Sequence, residues 1–349
     1  MAIYTGYIGT YTKGDSKGVY SFTLDTENKK VENIKLAAEL GSPTYVTISK
    51  DGKTLYAVDK QNDKGGIASF NIDADTASLT QVSTHVSESG SPCHVSVDSG
   101  KQYVVTANYH NGKIELYKTD TDGTTSSIVS MNQHSGSGPN VDRQDGPHAH
   151  FSGFTPDEKY IVAVDLGTDE IITYEIKEEQ LHVVNVLAVK PGSGPRHIEF
   201  HPNGKFAYVM TELSNEVIAL AYNPENGIFT ELHYSLAIPA DFTENSQGSA
   251  IHVSPDGKFV YAGNRGHNSI AVFSVTEETG ELTFVEHVSS AGDWPRDFEI
   301  DPSGQFIVSS NQESSNLVLY VRDTETGKLT LLDSDLPVPY PVCVKFLKS

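Results

Sequence analysis

The chain has 349 residues, of which 37% are hydrophobic and 20% charged, and its formal net charge is −21 at pH 7. So acidic a chain is poorly suited to nucleic acid, because binding to phosphates draws on lysine and arginine. No apolar run approaches the roughly 18 residues that span a membrane. The two cysteines are too few for a disulfide framework or a cysteine-based zinc site, and no leader pattern is evident. We therefore expect a protein of the reducing cytoplasm.

The chain opens with three segments in which apolar and polar residues alternate, a pattern typical of β-strands. They cover residues 4–10, 18–24 and 31–40. A repeat then begins: a small residue with proline, an apolar run, Pro-Asp-Gly or a variant, a second apolar run, and a polar or glycine end. It recurs every 46 to 55 residues, starting at Pro43, Pro92, Pro147, Pro195, Gly248, Pro295 and Pro341.

Each repeat contains two further apolar runs. In the fifth they cover residues 270–275 and 282–288, and the hairpin signal Glu-Glu-Thr-Gly at 277–280 joins them. Four antiparallel strands in 45–55 residues are typical of one blade of a β-propeller. No segment of useful length has helical periodicity.

The two chain ends set the number of blades. The last unit, residues 341–347, supplies only a first strand, whereas the opening segments supply a second, third and fourth. One blade shared by residues 1–40 and 341–349 would therefore close the ring and pair its open edges. We predict an all-β, seven-bladed propeller that forms a single domain over residues 1–349. A solenoid or two sandwiches would not explain complementary partial units.

A propeller brings the start of each first strand and the end of each second strand to the same face. The positions aligned one residue past the proline of the repeat are Thr44, Cys93, His150, Arg196, Ser249, Arg296 and Val342. The second-strand ends are Asp59, Asn108, Asp165, Thr211, Glu212, Asn264, Arg265, Asn311 and Gln312. We expect the functional site among these residues.

Arginine is scarce in the chain and is concentrated at this mouth. Only five arginines accompany twenty lysines, and Arg196, Arg265 and Arg296 fall in the two aligned sets. Arg143 lies in a long loop, residues 131–147, that enters the same face. Because guanidinium groups suit phosphate and carboxylate, the pattern predicts a site for a small anion. The alternative is that these arginines brace the blades by pairing with Asp165, Glu212 or Asp297.

Four histidines also lie near first-strand starts: His94, His148, His150 and His197. A histidine at the mouth is suited to act as a general base near neutral pH, and His150 is the candidate. His148 and His150 could begin a metal site, but no third ligand is evident, so we expect no metal. We expect Asn108, Asn264 and Gln247 to orient the ligand as uncharged groups.

Five motifs stand out along the chain: Gly-Pro-His-Ala-His at 146–150, Gly-Pro-Arg-His at 194–197, Met-Thr-Glu-Leu-Ser-Asn at 210–215, Gly-Asn-Arg-Gly-His at 263–267 and Asp-Trp-Pro-Arg-Asp at 293–297. Together they resemble the seven-bladed lactonase family, which includes bacterial 6-phosphogluconolactonases and a fungal carboxy-muconate lactonising enzyme. The similarity covers essentially the whole chain and is greatest to the branch from Gram-positive bacteria.

The resemblance implies hydrolysis of 6-phosphoglucono-δ-lactone in the pentose phosphate pathway, without a cofactor. From the fungal branch, it implies that His150 is catalytic, that Arg196 and Arg265 contact substrate, and that Glu212 is an acid. We expect His150, or Glu212 if its pKa is raised, to activate water. Arg196 and Asn264 would stabilise the oxyanion, and Arg265, Arg296 or Arg143 would hold the phosphate.

Three alternatives remain open at this point. The chain could hydrolyse a different sugar lactone, act as a muconate-type cycloisomerase, or bind partners without catalysis. The sequence does not indicate an oligomeric state.

Overall fold

The structure is a computed structural model that describes residues 2–88 and 90–347. Within these ranges, twenty-eight strands form seven four-stranded antiparallel sheets. The described part of the chain contains no helix with the length and apolar character needed to cross a bilayer. Residues 1, 348 and 349, at the limits of the predicted domain and closing blade, lie outside the described residues.

The blade that closes the ring combines the two ends of the chain, as predicted. Strand β28 pairs with β1, which pairs with β2 and then β3. Their bounds are β1 (Ile3–Thr10), β2 (Gly18–Asp25), β3 (Lys30–Glu39) and β28 (Pro341–Phe346). The seven-bladed fold and its closure by the C-terminal strand are therefore confirmed.

The other six blades are each built from four consecutive strands. The first three are β4 (Val46–Ile48), β5 (Thr54–Gln61), β6 (Lys64–Ile72) and β7 (Leu79–Ser87); β8 (His94–Val97), β9 (Tyr103–Asn108), β10 (Lys113–Thr119) and β11 (Thr125–Gln133); β12 (Ala149–Phe154), β13 (Ile161–Asp165), β14 (Glu170–Lys177) and β15 (Gln180–Ala188). The next three are β16 (Pro195–Phe200), β17 (Phe206–Thr211), β18 (Glu216–Asn223) and β19 (Ile228–Leu236); β20 (Gln247–Val253), β21 (Phe259–Arg265), β22 (Ser269–Val275) and β23 (Leu282–Ser289); β24 (Pro295–Ile300), β25 (Phe306–Asn311), β26 (Asn316–Arg322) and β27 (Leu329–Pro337).

The first strands of the blades surround the central axis. Each one contacts the first strands of both neighbouring blades, in the cyclic order β4, β8, β12, β16, β20, β24, β28 and back to β4. Because this ring gathers the starts of all seven strands, residues far apart in sequence meet at one mouth of the channel.

The hydrophobic core lies between blades. Among the described residues, seven apolar clusters are present, and each joins residues of two adjacent blades. Buried tyrosines add polar links: Tyr208 Oη donates to the carbonyl of Gly280 (3.1 Å) and Tyr261 Oη to that of Gly327 (2.8 Å), each in the following blade. This packing makes the ring a rigid support for its mouth.

Candidate active site

β-Bulges at the start of three first strands determine where the candidate residues point. The register between β12 and β13 shifts between Ala149 and Phe151, which leaves His150 as the extra residue. Arg196 and Arg296 occupy the same position in the bulges of β16 and β24. Because a bulge frees its extra residue from the ladder and re-aims the side chain, these three residues turn toward the channel mouth.

A cavity of about 330 Å³ opens at this mouth, and we call it the arginine cavity. It brings together six of the twelve predicted site residues with several that were not predicted. It is lined by Tyr11, Cys93, Tyr109, His110, Arg143, His150, Glu212, Gln247, Arg265, Trp294 and Arg296. Arg196 lines an adjoining narrow space together with His150, His197 and Arg296.

Glu212 is the centre of the arginine cluster. Its Oε2 accepts from Arg265 Nη2 at 2.7 Å and from Arg196 Nε at 3.1 Å, while its Oε1 pairs with Arg143 Nη2. Arg196 and Arg265 also donate to the carbonyls of Ser249 and Gly248, both at 2.7 Å. Bracing of the mouth by Glu212, weighed above as an alternative to ligand binding, is therefore present.

The bracing nevertheless leaves the mouth cationic. Four guanidinium groups, those of Arg143, Arg196, Arg265 and Arg296, line the arginine cavity and the adjoining narrow space, where the carboxylates are those of Glu212 and Asp297. Burial lowers the pKa of Arg196, and its neighbours Arg265 and Arg296 lower it further, to about 9, so the guanidinium stays charged at neutral pH. An excess of positive charge within an acidic protein attracts small anions to this mouth.

A role for Glu212 as a base would require a raised pKa, and the structure indicates the opposite. Burial acts to raise the pKa of its carboxyl group, but Arg265 and Arg196 outweigh burial and hold the pKa well below its ordinary value. Glu212 is therefore a carboxylate bound on three sides, and the raised pKa that a base role required is not found. Its geometry suits an anchor for the arginines.

His150 is a neutral imidazole in this setting. Its side chain is almost fully buried, and its Nδ1 has no hydrogen-bond partner. Burial lowers its pKa well below the ordinary value, and Arg196 reinforces this effect while Glu212 opposes it. A neutral imidazole on the cavity wall is in the protonation state that accepting a proton from water requires.

His197 and His94 extend the same row of rings away from the cavity. The ring of His197 lies 5.2 Å from that of His150 and 5.4 Å from that of His94. His94 packs between Tyr45 and Phe151, at 4.1 and 4.2 Å. Neither histidine lines the arginine cavity, so the structure places them behind His150 and not against the space for a ligand.

Asn108 and Asn264 differ from the sequence expectation. Both are fully buried, and their amides donate inside the fold, to the carbonyl of Gly90 at 3.1 Å and to that of Ala237 at 2.8 Å. Neither residue lines the arginine cavity. They connect loops of the scaffold, whereas Gln247 does line the cavity as expected.

His148 and Asp165 hold the loop that leads to His150. His148 Nδ1 donates to the carbonyl of Tyr109 at 2.8 Å, and the two rings are stacked. Asp165 Oδ1 accepts the backbone N–H of His148 at 2.8 Å, and its Oδ2 pairs with His134 Nδ1 at 2.6 Å. His148 therefore has a structural partner for its ring and does not line the arginine cavity. Among the described residues, no group of three or more His, Cys, Asp or Glu side chains is arranged to hold a metal ion.

Gln144, the residue after Arg143, anchors the loop that carries this arginine. Gln144 is fully buried, its Nε2 donates to the carbonyl of Leu166 at 2.8 Å, and its Oε1 accepts the N–H of Asn140 at 3.1 Å. This anchor leaves Arg143 free to reach the cavity.

Sequence reasoning missed Tyr11, Tyr109 and His110 on the cavity wall. Tyr11 directly follows the second strand that ends at Thr10, and Tyr109 and His110 are the first and second residues after the one that ends at Asn108. Extending the second-strand positions by two residues, and including the closing blade, would have found all three.

Comparisons with known proteins agree with this architecture. The chain matches the model of the family described as lactonase, 7-bladed beta-propeller, over residues 5–346. It is 56% identical over 347 residues to the 6-phosphogluconolactonase of Bacillus subtilis, with 99% of each chain covered. A solved structure from Lactobacillus plantarum is 42% identical with a TM-score of 0.94, and the periplasmic gluconolactonase of Pseudomonas aeruginosa is 30% identical with a TM-score of 0.93; each comparison covers 99% of both chains.

The match of the family model to nearly the whole ring, together with full-length identity to a curated member, confirms the resemblance seen in the motifs. The chain belongs to the lactonase family of seven-bladed β-propellers.

Proposed function

We propose that this protein hydrolyses 6-phosphoglucono-δ-lactone to 6-phosphogluconate in the pentose phosphate pathway. The full-length identity of 56% to a 6-phosphogluconolactonase supports this substrate. The observation that carries the proposal is the arginine cavity itself, where a neutral His150 faces the same space as Arg143, Arg265 and Arg296. Such a wall matches an anionic substrate whose ester carbonyl must be attacked by water.

In the proposed mechanism, His150 accepts a proton from water while the water oxygen forms a bond to the lactone carbonyl carbon. The carbonyl π electrons move to its oxygen, and a guanidinium group, Arg196 in our assignment, stabilises the oxyanion. When the intermediate collapses, the bond from that carbon to the ring oxygen breaks. The ring oxygen then takes the proton from His150, which leaves a carboxylic acid and a hydroxyl group.

Glu212 has a positioning role in this proposal. Its carboxylate aligns Arg143, Arg196 and Arg265 without consuming the charge of all three. Asn264 is omitted from the oxyanion site because its amide donates to the carbonyl of Ala237 and to Ser269 Oγ. Lactones also hydrolyse spontaneously, so a site without a covalent nucleophile is sufficient.

A second candidate substrate is an unphosphorylated sugar lactone. The Pseudomonas aeruginosa protein of the same fold is named a gluconolactonase, and the chemistry at the carbonyl would be identical. The phosphate group is therefore the feature that an experiment must vary.

We also propose that the protein acts in the cytoplasm. Cys93 and Cys343 are both free thiols, which agrees with a reducing compartment.

The proposed function is tested by a panel of lactones assayed with purified protein, with and without EDTA. The panel contains 6-phosphoglucono-δ-lactone, glucono-δ-lactone and a muconolactone, and the spontaneous rate of each is subtracted. We expect the highest kcat/KM for the phosphorylated lactone, unchanged by EDTA. Absence of acceleration for every lactone, or turnover of muconolactone alone, would contradict the proposal.

A further inference from the structure

A second cavity, of about 430 Å³, lies beside the arginine cavity. The two share Tyr11, Cys93, His110 and Arg296 as a common wall. On its other side the second cavity is lined by Lys13 and Lys60, and we call it the lysine lobe. The two cavities are therefore adjacent at the channel mouth.

The lysine lobe is cationic, in contrast to the protein as a whole. Lys13, Lys60 and Arg296 line it, and no aspartate or glutamate is among its described lining residues. Within residues 2–88 and 90–347, neither lysine forms an ion pair. Three positive groups without a carboxylate are unusual in a chain of net charge −21.

Arg296 differs from the other arginines of the described chain because it has no carboxylate partner. Arg143, Arg196 and Arg265 bind Glu212, and Arg322 binds Asp256. Arg296 Nη1 donates to the neutral Gln312 Oε1 at 3.2 Å, and its Cζ lies 5.4 Å from the centroid of the Tyr11 ring. Its charge is thus available to a ligand at the shared wall.

One contact and one electrostatic effect relate the two lysines to this wall. Lys13 Nζ lies 5.2 Å from the centroid of the same Tyr11 ring. Burial lowers the pKa of His110, and the charge of Lys60 lowers it further, so the field of Lys60 reaches the shared wall. Hydroxyl donors lie in the same lobe, where Thr12 Oγ1 and Ser42 Oγ are 3.0 Å apart.

Resting on the lactonase function proposed above, we propose that the lysine lobe is the subsite for the phosphate group of the substrate. Arg296, Lys60 and Lys13 would hold a phosphate monoester there, while the lactone ring occupies the arginine cavity beside His150. A phosphate dianion takes charge-assisted hydrogen bonds from lysine and arginine. Arg265 lines the arginine cavity and not the lysine lobe, so we assign the phosphate role that the sequence suggested for it to the lobe instead.

The test uses equilibrium binding of the hydrolysis product, because 6-phosphogluconate is stable whereas the lactone is not. Calorimetry measures the Kd of 6-phosphogluconate, and of gluconate as the ligand without phosphate, for the wild type and for Lys60→Gln and Arg296→Gln. The matched control is Lys53→Gln. Lys53 directly precedes β5 and Lys60 lies near the end of the same strand, so the two lysines are about 23 Å apart, at opposite ends of one strand.

We expect Lys60→Gln and Arg296→Gln each to weaken 6-phosphogluconate binding by about tenfold or more, with a much smaller change for gluconate. Lys53→Gln, which removes the same charge, should change the Kd by less than about twofold. Equal effects of Lys60→Gln and Lys53→Gln would overturn the subsite, as would a wild type that binds both ligands equally.

The same variants in the lactone assay separate this inference from the proposed function. Selectivity for 6-phosphoglucono-δ-lactone over glucono-δ-lactone should fall about tenfold in Lys60→Gln. If the wild type hydrolyses no lactone yet Lys60→Gln still weakens 6-phosphogluconate binding, the lactonase function fails and the phosphate subsite stands. If hydrolysis proceeds and selectivity is unaffected, the subsite fails and the lactonase function stands.

Discussion

Replacing Glu212 by glutamine removes the one carboxylate that three arginines share. Glutamine keeps the size of the side chain and one oxygen acceptor, so the change is chiefly one of charge. Arg196 and Arg265 are only 2% and 4% exposed, and each would lose its ionic partner without access to water. Arg143 is partly exposed and can regain hydration, so its contribution is small.

The expected loss follows from burial. Breaking a buried ion pair by removing one partner costs about 3–5 kcal/mol, because the remaining charge is left uncompensated. At about 2.1 cal/mol/K per residue, a chain of 349 residues has an unfolding entropy near 0.7 kcal/mol/K. The variant should therefore melt about 4–7 °C below the wild type.

The assay is a thermal melt in a low-salt buffer, with and without added phosphate. Glu216→Gln is the matched control, since Glu216 pairs with a largely exposed Lys190 at 3.4 Å and its loss should cost about 0–1 kcal/mol. Phosphate should restore part of the stability of Glu212→Gln by entering the arginine cavity and pairing with Arg143 and Arg265, which line it, and have a smaller effect on the control. Equal melting temperatures for the two variants would refute the assignment of Glu212 as the anchor.

Two predictions concern catalysis directly. His150→Gln should lower kcat for lactone hydrolysis by roughly 10²–10⁴, the usual contribution of a general base. The control is His182→Gln, at an exposed position of β15. Full activity in His150→Gln would remove His150 from the mechanism. The second prediction concerns pH and follows from the lowered pKa of His150. Because the imidazole is neutral above its pKa, kcat/KM should decline only as the pH falls well below 6.5. The substrate for this profile is glucono-δ-lactone, which carries no titrating phosphate. A decline centred at or above 6.5 would contradict this charge state.

The fold could be predicted because its signals are local and repeated. The Pro-Asp-Gly turns and alternating apolar runs mark strands, and the incomplete units at residues 4–40 and 341–347 mark the closure. Aligning the repeats was enough to bring His150, Arg196 and Arg296 to one mouth, since the ring converts repeat position into spatial position.

What each candidate side chain contacts could not be predicted in the same way. The bulge that frees His150 depends on the pairing of β12 with β13, which leaves no distinct signal in the strand itself. Asn108 and Asn264 share the alignment position of the arginine-rich mouth, yet nearby carbonyls of Gly90 and Ala237 capture their amides. Sequence position places a residue near the mouth, whereas competition among hydrogen-bond partners decides which way it faces.

The cationic lobe was missed for a related reason. Lys60 lies one residue past Asp59, the predicted second-strand end, and within β5 in the structure, and Lys13 lies in the loop between β1 and β2. Neither stood out among twenty lysines, because lysine on an acidic surface normally serves solubility. Only the spatial relation of both to Arg296 and Tyr11 distinguishes them.

The direct test of the account is the NMR signal of His150 itself, in protein labelled with ¹⁵N-histidine and assigned by its loss in His150→Gln. We predict a neutral imidazole at pH 6 whose ¹⁵N shifts change on addition of 6-phosphogluconate. A charged His150 at that pH would contradict its assignment as the neutral base. A His150 signal unmoved by saturating 6-phosphogluconate while distant histidines respond would show that the ligand binds elsewhere and that the arginine cavity is not the active site.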